Sequence, residues 1–148
     1  MSEKNKGFFG SQDIDNLEKR FRTAFINSLS GFKSLGLIGT KDNKDQTNLA
    51  VFNSLIHIGA NPPLVGFISR PGVVERQTLE NIIETGYYTI NHVTESFFKQ
   101  AHQTSARYPK EISEFEATGL TTEYKNDFFA PFVAESHVQI AVELQDQV

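Results

Sequence analysis

At 148 residues, 39% of them hydrophobic, the chain has the size of one domain and can bury roughly 70% of its unfolded surface. Its net charge of −4 and pI near 5.5 disfavour nucleic acid and anionic membrane as partners. With no cysteine, disulfides, thiolate catalysis, iron–sulfur clusters and cysteine-based zinc sites are all excluded, and the expected setting is a reducing cytoplasm.

The first dozen residues are polar and read as a lead-in without the apolar core of a signal peptide. No run approaches the roughly 18 apolar residues needed to cross a bilayer. Asp13 is placed to cap a helix in which Ile14, Leu17 and Phe21 share one face. Residues 23–30 either continue that helix or begin a strand.

From Lys33 onward the period changes to that of strands. Residues 34–40 read as a first strand, 41–45 as a polar hairpin turn, and 47–59 as a longer second strand with room for a bulge. Asn61-Pro62-Pro63 forces a turn, because proline lacks a ladder donor and restricts its predecessor. Residues 64–69 make a third strand.

Residues 77–85 form an amphipathic helix with Leu79, Ile82 and Ile83 inward, stopped by Gly86. A fourth strand covers 87–93, and short helices are expected over 95–104 and 110–118, the latter ended by Gly119. Residues 130–144 read as a final strand pair or one long strand. Hairpin-linked strands with short helices between them favour a mainly β or α+β barrel over a parallel sheet.

Most chemical signatures are missing. There is no Gly-x-Gly-x-x-Gly and no P-loop, so neither a Rossmann nor a P-loop nucleotide site is supported. Gly36 and Gly39 lie inside a strand, where close backbone approach explains them. The four histidines form no metal-ligand spacing; His57 reads as a barrel residue with its polar atoms satisfied. His102, near Ser105 at a helix end, suits a surface cap or a ligand role equally. No serine elbow or carboxylate pair supplies a catalytic side chain. Chemistry on this chain would have to come from a borrowed redox cofactor, which the protein mainly orients.

Two features suit such a cofactor. The strand interleaving Asn48, Phe52, Asn53 and Ser54 offers an apolar surface edged with hydrogen-bonding groups, fit for a planar heterocycle. Arg70, Arg76 and Thr78, with Thr78 at a helix start, make a phosphate-binding cluster. Two solvated arginines beside an N-cap threonine explain the same residues, and the choice stays open at this level.

The order of Phe32-Lys33-Ser34, Ile38-Gly39-Thr40, Asn48 through Ser54, Asn61-Pro62-Pro63-Leu64-Val65-Gly66, Thr78 through Ile82, Thr85-Gly86, Asn91, Ser113 through Glu116 and Gly119-Leu120-Thr121 resembles the flavin reductase-like family of FMN-binding split barrels. The resemblance implies one split-barrel domain, a six-stranded Greek-key barrel, working as a homodimer with FMN near the subunit interface. It places Asn48, Phe52, Asn53 and Ser54 along the isoalloxazine edge. Ser69, Arg70, Thr78 and Asn81 fall at the phosphate and ribityl chain, and Lys33, His102 and Ser105 at the pocket rim.

The implied activity is reduction of flavin by NAD(P)H, or electron transfer from bound FMN to a small-molecule acceptor without a nicotinamide site of its own. Gly31-Phe32-Lys33-Ser34 replaces the proline–arginine–proline run of many relatives. The family's fold is also expected to continue some tens of residues past Val148, with a further strand and an end helix.

Overall fold

The computed structural model describes residues 8–69 and 77–148. They fall into two compact units, the first ending at Lys33 and the second running Ser34–Val148.

In the first unit, α1 (Ser11–Asn16) and α2 (Lys19–Ser28) replace the single expected helix. Glu18 causes the break. Its carboxylate accepts the N–H groups of Arg20 (2.9 Å) and Phe21 (3.0 Å), capping α2, while Leu17 turns extended. Those hydrogen bonds hold the Glu18 carboxyl below its ordinary pKa. Asp13 therefore lies inside α1, where it accepts the Gly10 N–H at 2.8 Å, and is not the cap. Residues 23–28 are helical, which settles the open choice there.

The second unit is built on a four-stranded antiparallel sheet ordered β2-β1-β5-β8, from β1 (Gly36–Lys41), β2 (Thr47–Phe52), β5 (Tyr87–His92) and β8 (Gln139–Glu143). A separate hairpin joins β3 (Leu55–Ala60) to β4 (Pro63–Phe67), with a bulge between His57 and Gly59. Two-residue strands β6 (Thr122–Glu123) and β7 (Phe132–Val133) form a third ladder. The eight strands of the described residues fall into three antiparallel sheets. The expected second strand is thus two strands, interrupted at Asn53-Ser54. The segment 130–144 is also two strands, but they pair with β6 and β5 and not with each other.

Alternation along the central strand β1 feeds two cores. Leu37 joins Leu49, Val133, Phe97, Ala101, Phe115 and Leu120, beneath α4 (Phe98–Gln103) and α5 (Glu114–Thr118). Ile38 joins Ile90, Tyr88 and Ile82 on the other face, where Phe52, Leu55, Phe67 and the side chains of β8 pack. Each fully buried large side chain contributes about 1.5–3 kcal/mol.

On the second face lies α3 (Gln77–Thr85). Its inward stripe is Thr78, Asn81 and Ile82, whereas Ile83 is 52% exposed, against expectation. The stripe is polar because α3 meets the end of the sheet that carries Thr40 and Asn48. Gly86 (φ 80°) and Gly119 (φ 71°) end α3 and α5 in the left-handed conformation, as expected.

Gly39 is the close approach that the sequence suggests. A Cβ there would lie 2.6 Å from the Thr89 hydroxyl, which itself donates to the Pro131 carbonyl at 2.6 Å. Asn91, fully buried, donates to the Leu37 carbonyl (3.2 Å) and the Thr89 hydroxyl (2.9 Å) and accepts the Val133 N–H (3.0 Å). It fastens β7 to the centre of the sheet.

Candidate flavin site

Asn48, Ala50 and Phe52 point to the α3 face of β2, since strand side chains alternate and Leu49 and Val51 belong to the opposite core. At one end of that face stands a buried amide–hydroxyl cluster. The Asn48 amide donates to Thr78 Oγ1 at 2.8 Å and to Thr40 Oγ1 at 3.3 Å. Asn81 donates to the same Thr40 oxygen at 3.1 Å. All four residues are buried, so the bonds tie the start of α3 to β1 and β2 in a low-dielectric setting. As an acceptor here, the Thr78 hydroxyl keeps its own proton to donate elsewhere. Beside the cluster a shallow hollow, lined by Asp42, Gln46, Asn48, Gln77, Asn81 and Lys110, has room for about one water.

At the other end of the face the strand leaves the sheet. Phe52 meets Phe67 edge-on at 4.8 Å between ring centroids, and Phe67 meets Tyr88 at 5.7 Å. Burial holds the Tyr88 hydroxyl above its ordinary pKa, so it stays neutral. Asn53 follows, exposed and without a side-chain hydrogen bond among the described residues. The Ser54 hydroxyl donates to the Ile68 carbonyl (2.9 Å) and accepts the Ile68 N–H (3.2 Å), closing the mouth of the β3–β4 hairpin next to Ser69. Aromatic edges, one unpaired amide and a hydroxyl-braced loop therefore converge where β2 becomes β3.

Of the sequence-selected residues, Asn48 bonds Thr78 directly and meets Asn81 through Thr40, and Phe52, Asn53 and Ser54 are contiguous at the strand break. Arg70 and Arg76 lie outside the described residues. Lys33 is exposed and belongs to the first unit. His102 is exposed on α4, which packs on the opposite core through Ala101, and the Ser105 hydroxyl turns back onto the His102 carbonyl at 2.7 Å. Neither meets the Asn48 cluster. His57 lies on β3, as a strand residue, with its side chain exposed. Among the described residues no cluster of His, Asp and Glu is disposed to hold a metal, and no helix is long and apolar enough to cross a membrane.

Sequence reasoning missed two residues. Thr40 is the shared acceptor of the cluster. Glu114 is buried and accepts the Leu49 N–H at 2.9 Å, across from the Asn48 face. A threonine at a strand end and a glutamate in the first turn of a helix are both ordinary by composition, so only contact reveals them.

Residues 33–148 match the flavin reductase like domain. The chain belongs to that family. The matched span nearly coincides with the second compact unit. This flavin reductase like domain is similar to a provisionally assigned flavin reductase with a split barrel domain from Shewanella frigidimarina NCIMB 400, with 58% identity and a TM-score of 0.92 over 95% of this chain and 70% of that one. Nitrilotriacetate monooxygenase component B from Bacillus cereus shares the fold at 20% identity, with a TM-score of 0.81 over 95% of this chain and 70% of that one. An uncharacterized protein of Aquifex aeolicus (strain VF5) is 26% identical over 118 residues, 78% of this chain; the chain spans 60% of that relative's length.

The described residues carry groups of the kinds a flavin requires: the aromatic rings of Phe52 and Phe67, the exposed Asn53 amide and the Ser54 hydroxyl near the strand break, and the Thr78 hydroxyl in the first turn of α3.

Proposed function

We propose that the chain is an FMN-binding oxidoreductase whose flavin is reduced by NAD(P)H. The observation that carries this reading is the interruption of β2 at Asn53-Ser54, which leaves an exposed amide directly after Phe52, one ring of the Phe52–Phe67 pair. Family membership supports the cofactor class.

Bound FMN would supply hydride acceptance at its N5 atom. The protein's part is to bind, orient and exclude water. Phe52 and Phe67 provide an apolar wall, and the Asn53 side chain and nearby backbone donate to the ring edge. Thr78, with Ser69 and Arg70, holds the charged tail; Asn48 fixes Thr78 directly, and Thr40 ties Asn48 to Asn81. Positioning of this kind lowers a barrier by prepaying orientation, and hydride transfer between two bound cofactors requires no side-chain acid or base.

The test is a fluorescence titration with FMN, followed by the visible spectrum under anaerobic NADH or NADPH. We expect quenching of flavin fluorescence, and bleaching of the flavin band on addition of one of the two nucleotides. Thr78→Ala combined with Arg70→Ala should weaken binding at least tenfold, about 1.4 kcal/mol. Protein that neither quenches nor retains FMN would overturn the reading. Protein that binds FMN yet is never bleached by either nucleotide would be an electron carrier instead.

We further propose that the working form is a homodimer. The β3–β4 hairpin leaves Ile56 and Ile58 exposed, and neighbouring exposed aliphatic groups of this kind mark association surfaces. Sedimentation should give a dimer that Ile58→Asp dissociates; a wild-type monomer at micromolar concentration would refute it.

A further inference from the structure

The far side of β2 from the cofactor face carries a brace that the proposed chemistry does not use directly. β2 is an edge strand of the sheet, so alternate backbone N–H groups along it turn away from β1. One of them, at Leu49, is taken by Glu114 Oε2 at 2.9 Å. Two residues earlier, the Thr47 hydroxyl meets the Ser113 hydroxyl at 2.7 Å. Leu49 is fully buried and Glu114 nearly so, so water does not replace the bond between them at low cost; the Thr47–Ser113 contact is half-buried.

These two contacts flank Asn48, whose side chain reaches through the opposite face to Thr78 and Thr40. The backbone of residues 47–49 is thereby held from behind by the start of α5 while Asn48 holds the start of α3 in front.

We propose that Glu114, assisted by Ser113, is a positioning residue for flavin binding. It fixes the β2 backbone so that Asn48 sets the Thr78 hydroxyl at the cofactor's charged tail. This inference rests on the FMN-binding reading above. Glu114 touches no cofactor atom; it acts through Leu49 and Asn48. What it supplies is a hydrogen-bond acceptor at one point in space, a role that a glutamine oxygen can fill and an alanine cannot.

The experiment compares wild type, Glu114→Ala, Glu114→Gln and Glu116→Gln, an exposed glutamate on the same helix. Two readouts are used: FMN affinity by fluorescence, and hydrogen-exchange protection of the Asn48 side-chain amide by NMR without flavin. Glu114→Ala should weaken FMN binding about tenfold, the scale of one lost buried hydrogen bond, and should deprotect the Asn48 amide. Glu114→Gln should restore both to within about twofold of wild type, a free-energy difference well under that of a hydrogen bond, and Glu116→Gln should change neither.

Wild type that binds FMN with an affinity unmoved by Glu114→Ala would overturn the positioning role alone. Failure of Glu114→Gln to restore binding would do the same, since the acceptor would not be the operative feature. Wild type that binds no FMN would overturn the cofactor reading and this role with it. If Glu114→Ala does not fold, Ser113→Ala replaces it, with loss of Asn48 protection expected and unchanged protection overturning the proposal.

Discussion

Thr40 shows how much can depend on one hydroxyl. Two asparagine amides, from β2 and α3, converge on its oxygen. Removing it with a side chain of the same shape leaves two buried donors short of an acceptor. Thr40→Val should therefore destabilise the fold by about 1–3 kcal/mol, read as a lower urea midpoint at unchanged slope, while Thr40→Ser should lose less than half as much. An unchanged midpoint would mean that water substitutes freely and that the cluster is not closed. Glu114 adds a pH dependence. Burial raises its carboxyl above the ordinary value, against the opposing pull of the Leu49 N–H and its own N–H. Between the ordinary and the raised pKa the folded state holds a proton that the unfolded state has released. Its contribution is complete below the ordinary carboxyl pKa and is lost as pH rises through the folded value. Glu114→Gln should remove that falling slope from a stability–pH profile while keeping the hydrogen bond to Leu49.

At the scale of elements, the strands that were legible are those whose pattern has a local cause. β1, β5 and the hairpin between β1 and β2 follow from alternation and turn chemistry: Asp42 accepts the N–H groups of Lys44 and Gln46, and Asp45 takes φ 66°. The ends of α3 and α5 follow from their glycines. The break at Asn53-Ser54 was not legible, because β-propensity runs on through Leu55 and Ile56. The serine bond to Ile68 that redirects the chain joins residues 14 apart in sequence. The inward stripe of α3 was misread for a related reason: apolar periodicity selects Ile83, but the surface awaiting the helix is polar. In the site, Asn48 is legible as a polar residue in an apolar strand, Thr78 by its place at a helix start near two arginines, and Asn81 only through the family resemblance, whereas Thr40 and Glu114 carry no such sign of a role. Gly39 tests packing at this scale. Its missing side chain lets β1 lie against Thr89 and the Pro131 carbonyl, so Gly39→Ala must push that loop away. Overpacking of a rigid neighbour costs typically 1–3 kcal/mol, and a thermal melt should fall accordingly; a melt at the wild-type temperature would show that the 130–133 loop yields freely.

At the scale of the molecule, among the described residues both apolar cores and the Asn48 cluster are built from residues of the second unit. α1 and α2 contribute no buried residue, and what order the first unit has comes from local bonds: the Glu18 cap, the Arg22 guanidinium donating to the Asp15 carbonyl at 2.8 Å, and the contact of Phe9 with Phe25 at 4.8 Å between ring centroids. Helices this short are marginal without a buried face. Cooperative unfolding depends on shared core, so a chain of residues 34–148 should retain a single sharp thermal transition and whatever flavin affinity the whole chain has. Calorimetry of the shortened chain, beside an FMN titration of both forms, decides the matter. A broad melt or a flavin affinity lost on shortening would mean that the first unit completes the fold or the pocket, and that Lys33 and its neighbours belong to the site after all.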